Sequence, residues 1–210
     1  MPAKELSREA IVDAASALLR EVGAQGLSMR RLAAHLNVTA TALYYHIGSR
    51  DELLDAVITA LLRAVAPADE TAPWSQALED LLVRLQYLFS DYPGLQRFMA
   101  EHLESAATLT WMEILLQALK AGGLDDEETV MAVNVLGFYN SAVPLRGQRG
   151  SEDGPWEPVR TDRMAASAAI QRDAYPTLSE LAHLLRPPDE TVFRAGLRAL
   201  IAGLERPGAE

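Results

Sequence analysis

Apolar residues recur every three or four positions along almost all of the 210-residue chain, and no run alternates apolar and polar residues over the length of a strand. The stretch 10–19 shows the pattern, because Ile11, Ala15, Leu18 and Leu19 fall on one face of a helix. A stripe of this kind packs against a core, while glycine and proline divide the chain into separate helices. The sequence therefore predicts an all-α fold.

The composition removes several classes of protein. The chain has no cysteine, which excludes disulfides, thiolate nucleophiles and Cys-ligated metals. Neither a Gly-x-Ser-x-Gly nor a phosphate-binding glycine motif occurs, and the four histidines lack His-x-x-x-His spacing. We therefore expect no catalytic site, no metal site and no cofactor. Without an apolar signal core or a stretch of membrane-spanning length, a cytoplasmic protein is expected.

The net charge of −10 is unevenly distributed. Residues 1–66 contain seven basic and seven acidic side chains, so the whole acidic excess lies in the remaining 144 residues. A neutral N-terminal part and an acidic C-terminal part can have different functions, so that only the N-terminal part binds a polyanion.

Capping residues and breakers predict where the helices begin and end. Ser7 starts a first helix that Gly23 and Gly26 end, and Pro67 to Pro73 mark a boundary. The predicted parts are a three-helix domain over 1–48, a connecting helix over 49–66 and a helical domain over 67–210. The predicted helices cover 7–22, 28–36, 39–46, 49–65, 74–91, 95–103, 108–121, 125–143, 162–174, 178–185 and 189–204, with a loop over 147–158.

The two short helices 28–36 and 39–46 are the most informative feature. Asn37 between them tolerates the left-handed backbone of a tight turn. Two short helices behind a packing helix form a helix-turn-helix, whose second helix enters the major groove of DNA. Leu43 and Ile47 point inward, which leaves Thr39 to Thr41 and Tyr44 to His46 outward or at the rims.

Residues 27–55 resemble the DNA-binding domain of tetracycline-repressor-family regulators. The resemblance rests on the spacing of the Arg-Arg-Leu-Ala segment, the Leu-Tyr-x-His pattern and the following Asp-Glu-Leu-Leu helix. More weakly, 135–138, 175–182 and 193–205 are similar to the ligand-binding domain of the tetracycline-repressor branch.

The resemblance implies roles for individual residues. Arg30 would meet a base or a phosphate, Tyr44 to His46 and Arg50 would contact the DNA backbone, and the small or apolar positions would face the bases. The predicted DNA-binding residues are Ser28, Met29, Arg30, Thr39, Ala40, Thr41, Tyr44, Tyr45, His46 and Arg50.

The last predicted helix carries a broad apolar face, on which Gly196 and Gly203 allow close approach. Periodicity alone cannot separate a dimer interface from burial within one chain. The resemblance implies a homodimer in which this helix joins 125–143 in a four-helix bundle. The predicted interface consists of Val192, Phe193, Gly196, Leu197, Leu200, Ile201 and Leu204.

Polar and aromatic residues inside apolar helices are candidates for a small-molecule pocket, because such sites combine apolar walls with a few polar groups. Each of them can instead be core or interface filler. Arg146 stands where the resemblance expects an acidic partner for a chelated metal, which disfavours tetracycline as the effector. The pocket candidates are Gln86, His102, Trp111, Met112, Met131, Asn134, Phe138, Tyr139 and Asn140.

These features together predict a transcriptional regulator: a homodimer that binds a palindromic DNA operator and acts as a repressor released by a small-molecule effector. Two alternatives stay open. A helical adaptor that binds only proteins explains the acidic C-terminal part but not the cluster from Tyr44 to His46, and a ligand-binding activator shares every feature named so far.

Overall fold

A computed structural model describes residues 6–65, 72–142, 166–167, 171, 173–184 and 189–204, and within these ranges every regular element is helical. None of the helices in these ranges combines the length and apolarity needed to span a membrane. The helices are α1 (Arg8–Gly26), α2 (Met29–Leu36), α3 (Ala40–His46), α4 (Arg50–Val65), α5 (Trp74–Asp91), α6 (Leu95–Glu101), α7 (Ala106–Ala121), α8 (Asp126–Ala142), α9 (Pro176–Leu181) followed by a 3₁₀ turn (Ala182–Leu184), and α10 (Glu190–Ala202).

Side-chain caps fix the helix starts where the sequence predicts them. The hydroxyls of Ser7, Ser28 and Thr39 each accept a hydrogen bond from the backbone N–H three residues further on. At α8, Glu128 N donates to Asp125 Oδ1 over 2.9 Å and Asp125 N donates to Glu128 Oε2 over 3.1 Å, which completes a capping box.

The turn between α2 and α3 also has the predicted conformation. Asn37 adopts φ 55° and ψ 44°, the left-handed region, so the chain turns sharply enough for α3 to pack across α2.

The regular helix of α1 breaks at Gly23, and a further turn runs to Gly26, which are the two glycines predicted to end it. Gly23 itself adopts φ 67° and ψ 172°, outside the helical region. The break directs the N–H of Ala24 to the carbonyl oxygen of Pro93, 2.8 Å away, between α5 and α6. A Cβ at position 23 would lie 3.3 Å from that same oxygen in a backbone region that L-residues avoid.

The described residues form two parts, which we call the head (6–65, α1–α4) and the body (72–142 and 189–204, α5–α8 and α10). Leu19, Leu32 and Leu43 are fully buried in the core of the head. Helix α4 packs against α1 on one side and α7 on the other, so it belongs to both parts. The predicted loop 147–158 lies outside the described residues, as does the predicted helix 162–174 except for 166–167 and 171 with 173–174.

Candidate DNA interface and ligand cavity

Helix α3 exposes aromatic and hydrogen-bonding side chains, because its apolar side is buried in the core of the head. Leu43 and Ile47 are buried, whereas Tyr44 is 50% and Tyr45 88% exposed. The ring of His46 stands edge-on to Tyr45, with 5.3 Å between the ring centroids. Thr39 and Thr41 are also exposed, so this helix offers hydroxyls and an imidazole on a projecting surface.

The start of α2 offers a cation beside that surface. Arg30 is exposed and makes no hydrogen bond or ion pair with any described residue. Its neighbour Arg31 instead donates to Gly26 O over 2.8 Å. Ser28 is exposed as the α2 cap and Ala40 is half-buried at the start of α3, as DNA-facing positions allow.

Met29 is a correction to the predicted DNA-binding set. It is only 5% exposed and belongs to the apolar core of the head, because it lies on the inner side of α2 with Leu32 and Ala33. A side chain packed in this way cannot face a base.

Arg50 is a second correction, because its guanidinium is engaged inside the protein. Its Nε donates to Leu27 O over 2.8 Å, one Nη donates to Ala24 O, and the other pairs with Asp51 at 3.3 Å. Charge-assisted bonds to two carbonyls of the α1–α2 connection hold this side chain in place. Arg50 therefore joins α4 to the α1–α2 corner of the head and is not a free contact for DNA.

A cavity of about 360 Å³ lies in the body between α5, α6, α7 and α8. Its walls are mostly apolar, with Phe89, Met99 and Val133 among them. Five of the predicted pocket residues line it: Trp111, Met112, Asn134, Phe138 and Asn140.

The other four predicted pocket residues do not line this cavity. Gln86 is buried in α5. His102 stacks on Phe98 with 4.1 Å between the ring centroids, and its Nε2 lies 3.9 Å from Asp51 Oδ2 of the head. Met131 lies on the exposed side of α8, and Tyr139 points to α10. The periodicity that selected these residues could not say which side of each helix meets the cavity.

The apolar face of α10 is also corrected in part, because much of it is buried in its own chain. Phe193, Leu197 and Ile201 are buried, and the ring of Phe193 stacks on Tyr139 with 5.4 Å between centroids. A Cβ at Gly196 would overlap Tyr139 Oη, so this glycine serves contact within one chain. Val192 stays exposed, and Leu200 and Leu204 are half-buried.

Among the described residues, several exposed apolar side chains lie together on α8 instead. Five residues of this surface follow helical spacing, and Phe138 among them is 74% exposed. We call them the α8 face: Val130, Met131, Asn134, Val135 and Phe138. Met131, Asn134 and Phe138 of this face are also pocket candidates, and of these Asn134 and Phe138 line the cavity as well. An amphipathic pattern looks the same whether its partner is a ligand, a core or another chain.

Two polar links between distant helices are not predicted by any pattern in the sequence. Asp55 in α4 accepts a hydrogen bond of 2.7 Å from the N–H of Ala107, at the first turn of α7. Glu79 in α5 pairs with Arg194 and Arg198 of α10 at 3.0 and 2.9 Å, and the hydrogen bond from Arg198, then that from Arg194, lowers the pKa of the buried Glu79 carboxyl. The paired residues are 52 or more positions apart, so no local signal could have found them.

Within the described ranges no three His, Cys, Asp or Glu side chains come together as a metal site would require. The described residues offer hydrogen-bonding groups at α3, an exposed cation at Arg30 and an apolar cavity in the body.

Two family descriptions match almost the whole chain. Residues 11–57 match bacterial regulatory proteins of the tetR family, and residues 66–207 match the tetracyclin repressor-like C-terminal domain. Among curated relatives, the HTH-type transcriptional repressor DrrR1 of Streptomyces coeruleorubidus is 28% identical over 97% of this chain and 79% of its own length. The tetracycline repressor protein class C of Escherichia coli is 26% identical over 96% and 92%.

Solved structures agree in fold as well as in sequence. The Streptomyces coelicolor TetR family protein ActR, in complex with actinorhodin, has a TM-score of 0.76 at 29% identity, over 96% of each chain. The S. coelicolor regulator SCO7222 has a TM-score of 0.78 at 27% identity, over 95% of this chain and 97% of its own. The adaptor alternative is not favoured, since these relatives are regulators. The chain belongs to the tetR family of bacterial regulatory proteins and is a DNA-binding, ligand-responsive transcriptional repressor.

Proposed function

We propose that the chain represses transcription as a homodimer bound to a palindromic operator and leaves the DNA when a small molecule enters the body. The observation that carries the dimer is the α8 face, an aliphatic and aromatic surface left exposed on an otherwise well-buried helix. A contiguous exposed apolar patch of this kind marks an interaction site, and the commonest closed assembly is a two-fold dimer.

Helix α10 adds a second surface to the proposed interface. Val192, Ala195, Ala199 and Gly203 lie exposed on one side, opposite the buried Phe193 and its inward neighbours. Small side chains let two helices approach closely, and α10 packs beside α8 in the same chain. Helices α8 and α10 of two copies then form a four-helix interface that carries two heads.

In this proposal α3 of each head enters a major groove. Thr39, Ala40 and Thr41 at its start face the bases, where threonine methyls and Ala40 favour thymine methyl groups. Tyr44, Tyr45 and His46 contact the DNA backbone together with Ser28, and Arg30 reaches a base or a phosphate. Two heads about 34–36 Å apart read two half-sites one helical turn apart.

The effector acts in this proposal through α4. Met99 of α6 and Thr108 of α7 both line the cavity. Each lies next to a contact with the head: α7 donates to Asp55 through Ala107, and His102 at the end of α6 lies beside Asp51. A ligand that moves these walls therefore favours another position of α4 and of the head, which is a shift between two populations of the dimer.

A small-molecule effector is supported by the relatives. They include tetracycline repressor proteins and ActR, whose solved structure holds actinorhodin. The proposed role is regulation of transcription and includes no catalytic step.

Selection of binding sites from random duplexes with the purified full chain tests the proposal. We expect enrichment of a palindrome with half-site centres about one helical turn apart, bound at two chains per duplex. Failure to enrich any sequence over the starting pool contradicts sequence-specific DNA binding, and an enriched site without two-fold symmetry contradicts the dimer.

A further inference from the structure

Two residues that line the cavity in the body, Trp111 and Asn140, each have a polar atom that the protein leaves without a hydrogen bond. Trp111 Nε1 and Asn140 Oδ1 are buried and have no partner, and Asn140 as a whole is 1% exposed. Both residues line the cavity. A buried donor or acceptor without a partner destabilises the fold, so a pair of them in one cavity calls for an explanation.

Thr108, Asn134 and Ser141 on the cavity wall use their side-chain donors within the protein, and Gln96 is only half-buried, so the buried unpartnered atoms of Trp111 and Asn140 are distinctive. Thr108 Oγ1 lies within donating distance of the carbonyl oxygens of Met99 and His102. Asn134 Nδ2 donates to Val130 O over 2.9 Å, and Ser141 Oγ donates to Phe138 O over 3.0 Å. These side-chain donors are therefore occupied by backbone carbonyl oxygens. Trp111 offers an unused N–H and Asn140 an unused carbonyl oxygen.

The charge of the wall is equally informative. No Asp, Glu, Lys, Arg or His side chain is among the described residues that line the cavity. An ion that entered would lose its hydration without meeting a countercharge, which strongly opposes its binding. The apolar walls instead favour burial of ring or hydrocarbon surface.

We infer that the effector is an uncharged, mainly apolar ring compound that accepts a hydrogen bond from Trp111 Nε1–H and donates one to Asn140 Oδ1. The inference rests on the proposed function, because it takes this cavity as the effector site. The free repressor tolerates two unsatisfied groups in this cavity, and the ligand satisfies both when it displaces solvent from the apolar wall.

Three probes with the same three-ring skeleton test the chemistry. Phenanthridinone is a neutral lactam with one N–H and one C=O, phenanthrene has neither, and phenanthrene carboxylate is an anion. Equilibrium dialysis against the purified full chain measures their binding without DNA. We expect the lactam to bind at least about ten-fold more tightly than either of the others, since it alone provides both hydrogen bonds without a charge.

Two variants test the named atoms. Asn140→Leu and Trp111→Phe should each weaken lactam binding about five-fold or more while leaving phenanthrene binding within about two-fold. Asn140→Leu should also melt at the wild-type temperature or above it, because it removes an unsatisfied buried amide; a purely structural asparagine would lower the melting temperature. Trp74→Phe is the matched control, since Trp74 lies against Gly122 outside the cavity and should leave lactam binding unchanged.

Several results would overturn the inference: carboxylate or phenanthrene bound as tightly as the lactam, lactam binding unchanged in both variants, or no saturable binding of any probe. The selected duplex separates this failure from that of the proposed function. If the protein binds the palindrome but prefers the anion, only the ligand class is wrong. If no duplex is bound while the lactam results hold, the ligand class stands and the DNA-binding proposal fails.

Discussion

The head and the body leave very different groups exposed. Among the described residues of the head, the large hydrophobic side chains that reach solvent are Tyr44 and Tyr45, each with a hydroxyl. The body instead exposes aliphatic and aromatic side chains along the α8 face and at Leu103 and Leu109. The head of one chain thus buries its apolar side chains by itself and offers polar groups to DNA. The body instead leaves apolar surface exposed that a second copy of the chain can cover.

We expect the largest effect from a charge placed on the α8 face, because it opposes burial of this apolar surface by a second copy. Val135→Glu puts a carboxylate in the middle of the face, so we expect a monomer in analytical ultracentrifugation. Affinity for the selected palindrome should fall by roughly 10²–10⁴-fold, because the two heads are no longer linked. Leu109→Glu, at an even more exposed leucine of α7 outside the face, should change neither quantity. A Val135→Glu protein that stays dimeric would rule out the α8 interface.

Substitution of two arginines of the head should distinguish a residue that contacts DNA from one that stabilises the fold. Arg30→Ala should weaken palindrome binding by about 1–3 kcal/mol, mostly at one base pair per half-site, without changing the melting temperature. Arg50→Ala should instead lower stability by about 1–3 kcal/mol, because two carbonyls lose a charged donor.

Fluorescence anisotropy with single-base variants of the palindrome, together with thermal unfolding, measures both effects. An equal loss of binding at all sequences for Arg30→Ala would make Arg30 a phosphate contact. An unchanged melting temperature for Arg50→Ala would return that residue to the DNA surface.

Gly196 tests whether α10 is packed within one chain. Gly196→Ala places a methyl group against Tyr139 Oη and should destabilise the body by about 1–3 kcal/mol through overpacking. Thr191→Ala is the control, because Thr191 is exposed on the same helix and lies outside the proposed interface. Chemical denaturation compares the two, and equal stabilities would show that Tyr139 has room to move.

Asp55 tests the link between the two parts. Hydrogen exchange over residues 99–108 should slow by about five-fold when the palindrome binds, because coupling between two sites is reciprocal. Asp55→Leu should remove this effect and Asp55→Asn, which keeps an acceptor oxygen, should retain most of it. The same protection in Asp55→Leu would show that the signal passes elsewhere.

The smallest expected effect concerns pH. The Arg198 and Arg194 guanidiniums lower the pKa of Glu79, so its stabilisation is complete above the pKa of an unfolded glutamate and is lost as pH falls through the lower folded value. At pH 7, Glu79→Gln should cost about 1 kcal/mol, and the gap to wild type should shrink below about pH 4.3. Asp126→Asn, at an exposed ion pair with Lys120, is the control without a measurable gap. A gap that widens in acid would contradict the assignment.

The head could be predicted almost completely from the sequence because its signals are local. Ser28, Asn37 and Thr39 act on backbone groups within a few residues, so their chemistry is visible in a short window. Arg50 could not be predicted in this way, since the carbonyls it binds lie 23 and 26 residues upstream.

In the body, the sequence predicted which residues are unusual but not what they face. Asn140 and Phe138 stand two positions apart and both line the cavity, yet Asn140 is buried whereas Phe138 is also mostly exposed on the α8 face. Helical periodicity gives the angle between two side chains. The tilt and depth of the helix against its neighbours, which decide burial, come from contacts between distant segments.

The break in α1 at Gly23 has a consequence for how such a regulator can diversify. The bond from Ala24 to Pro93 joins main-chain atoms, so it survives nearly any exchange of the side chains around it. Substitutions in the cavity wall can therefore change which effector is bound without breaking this main-chain bond, provided that Gly23 and Gly94 are kept. A scan of side-chain substitutions would detect these two glycines and not the main-chain hydrogen bond that they allow.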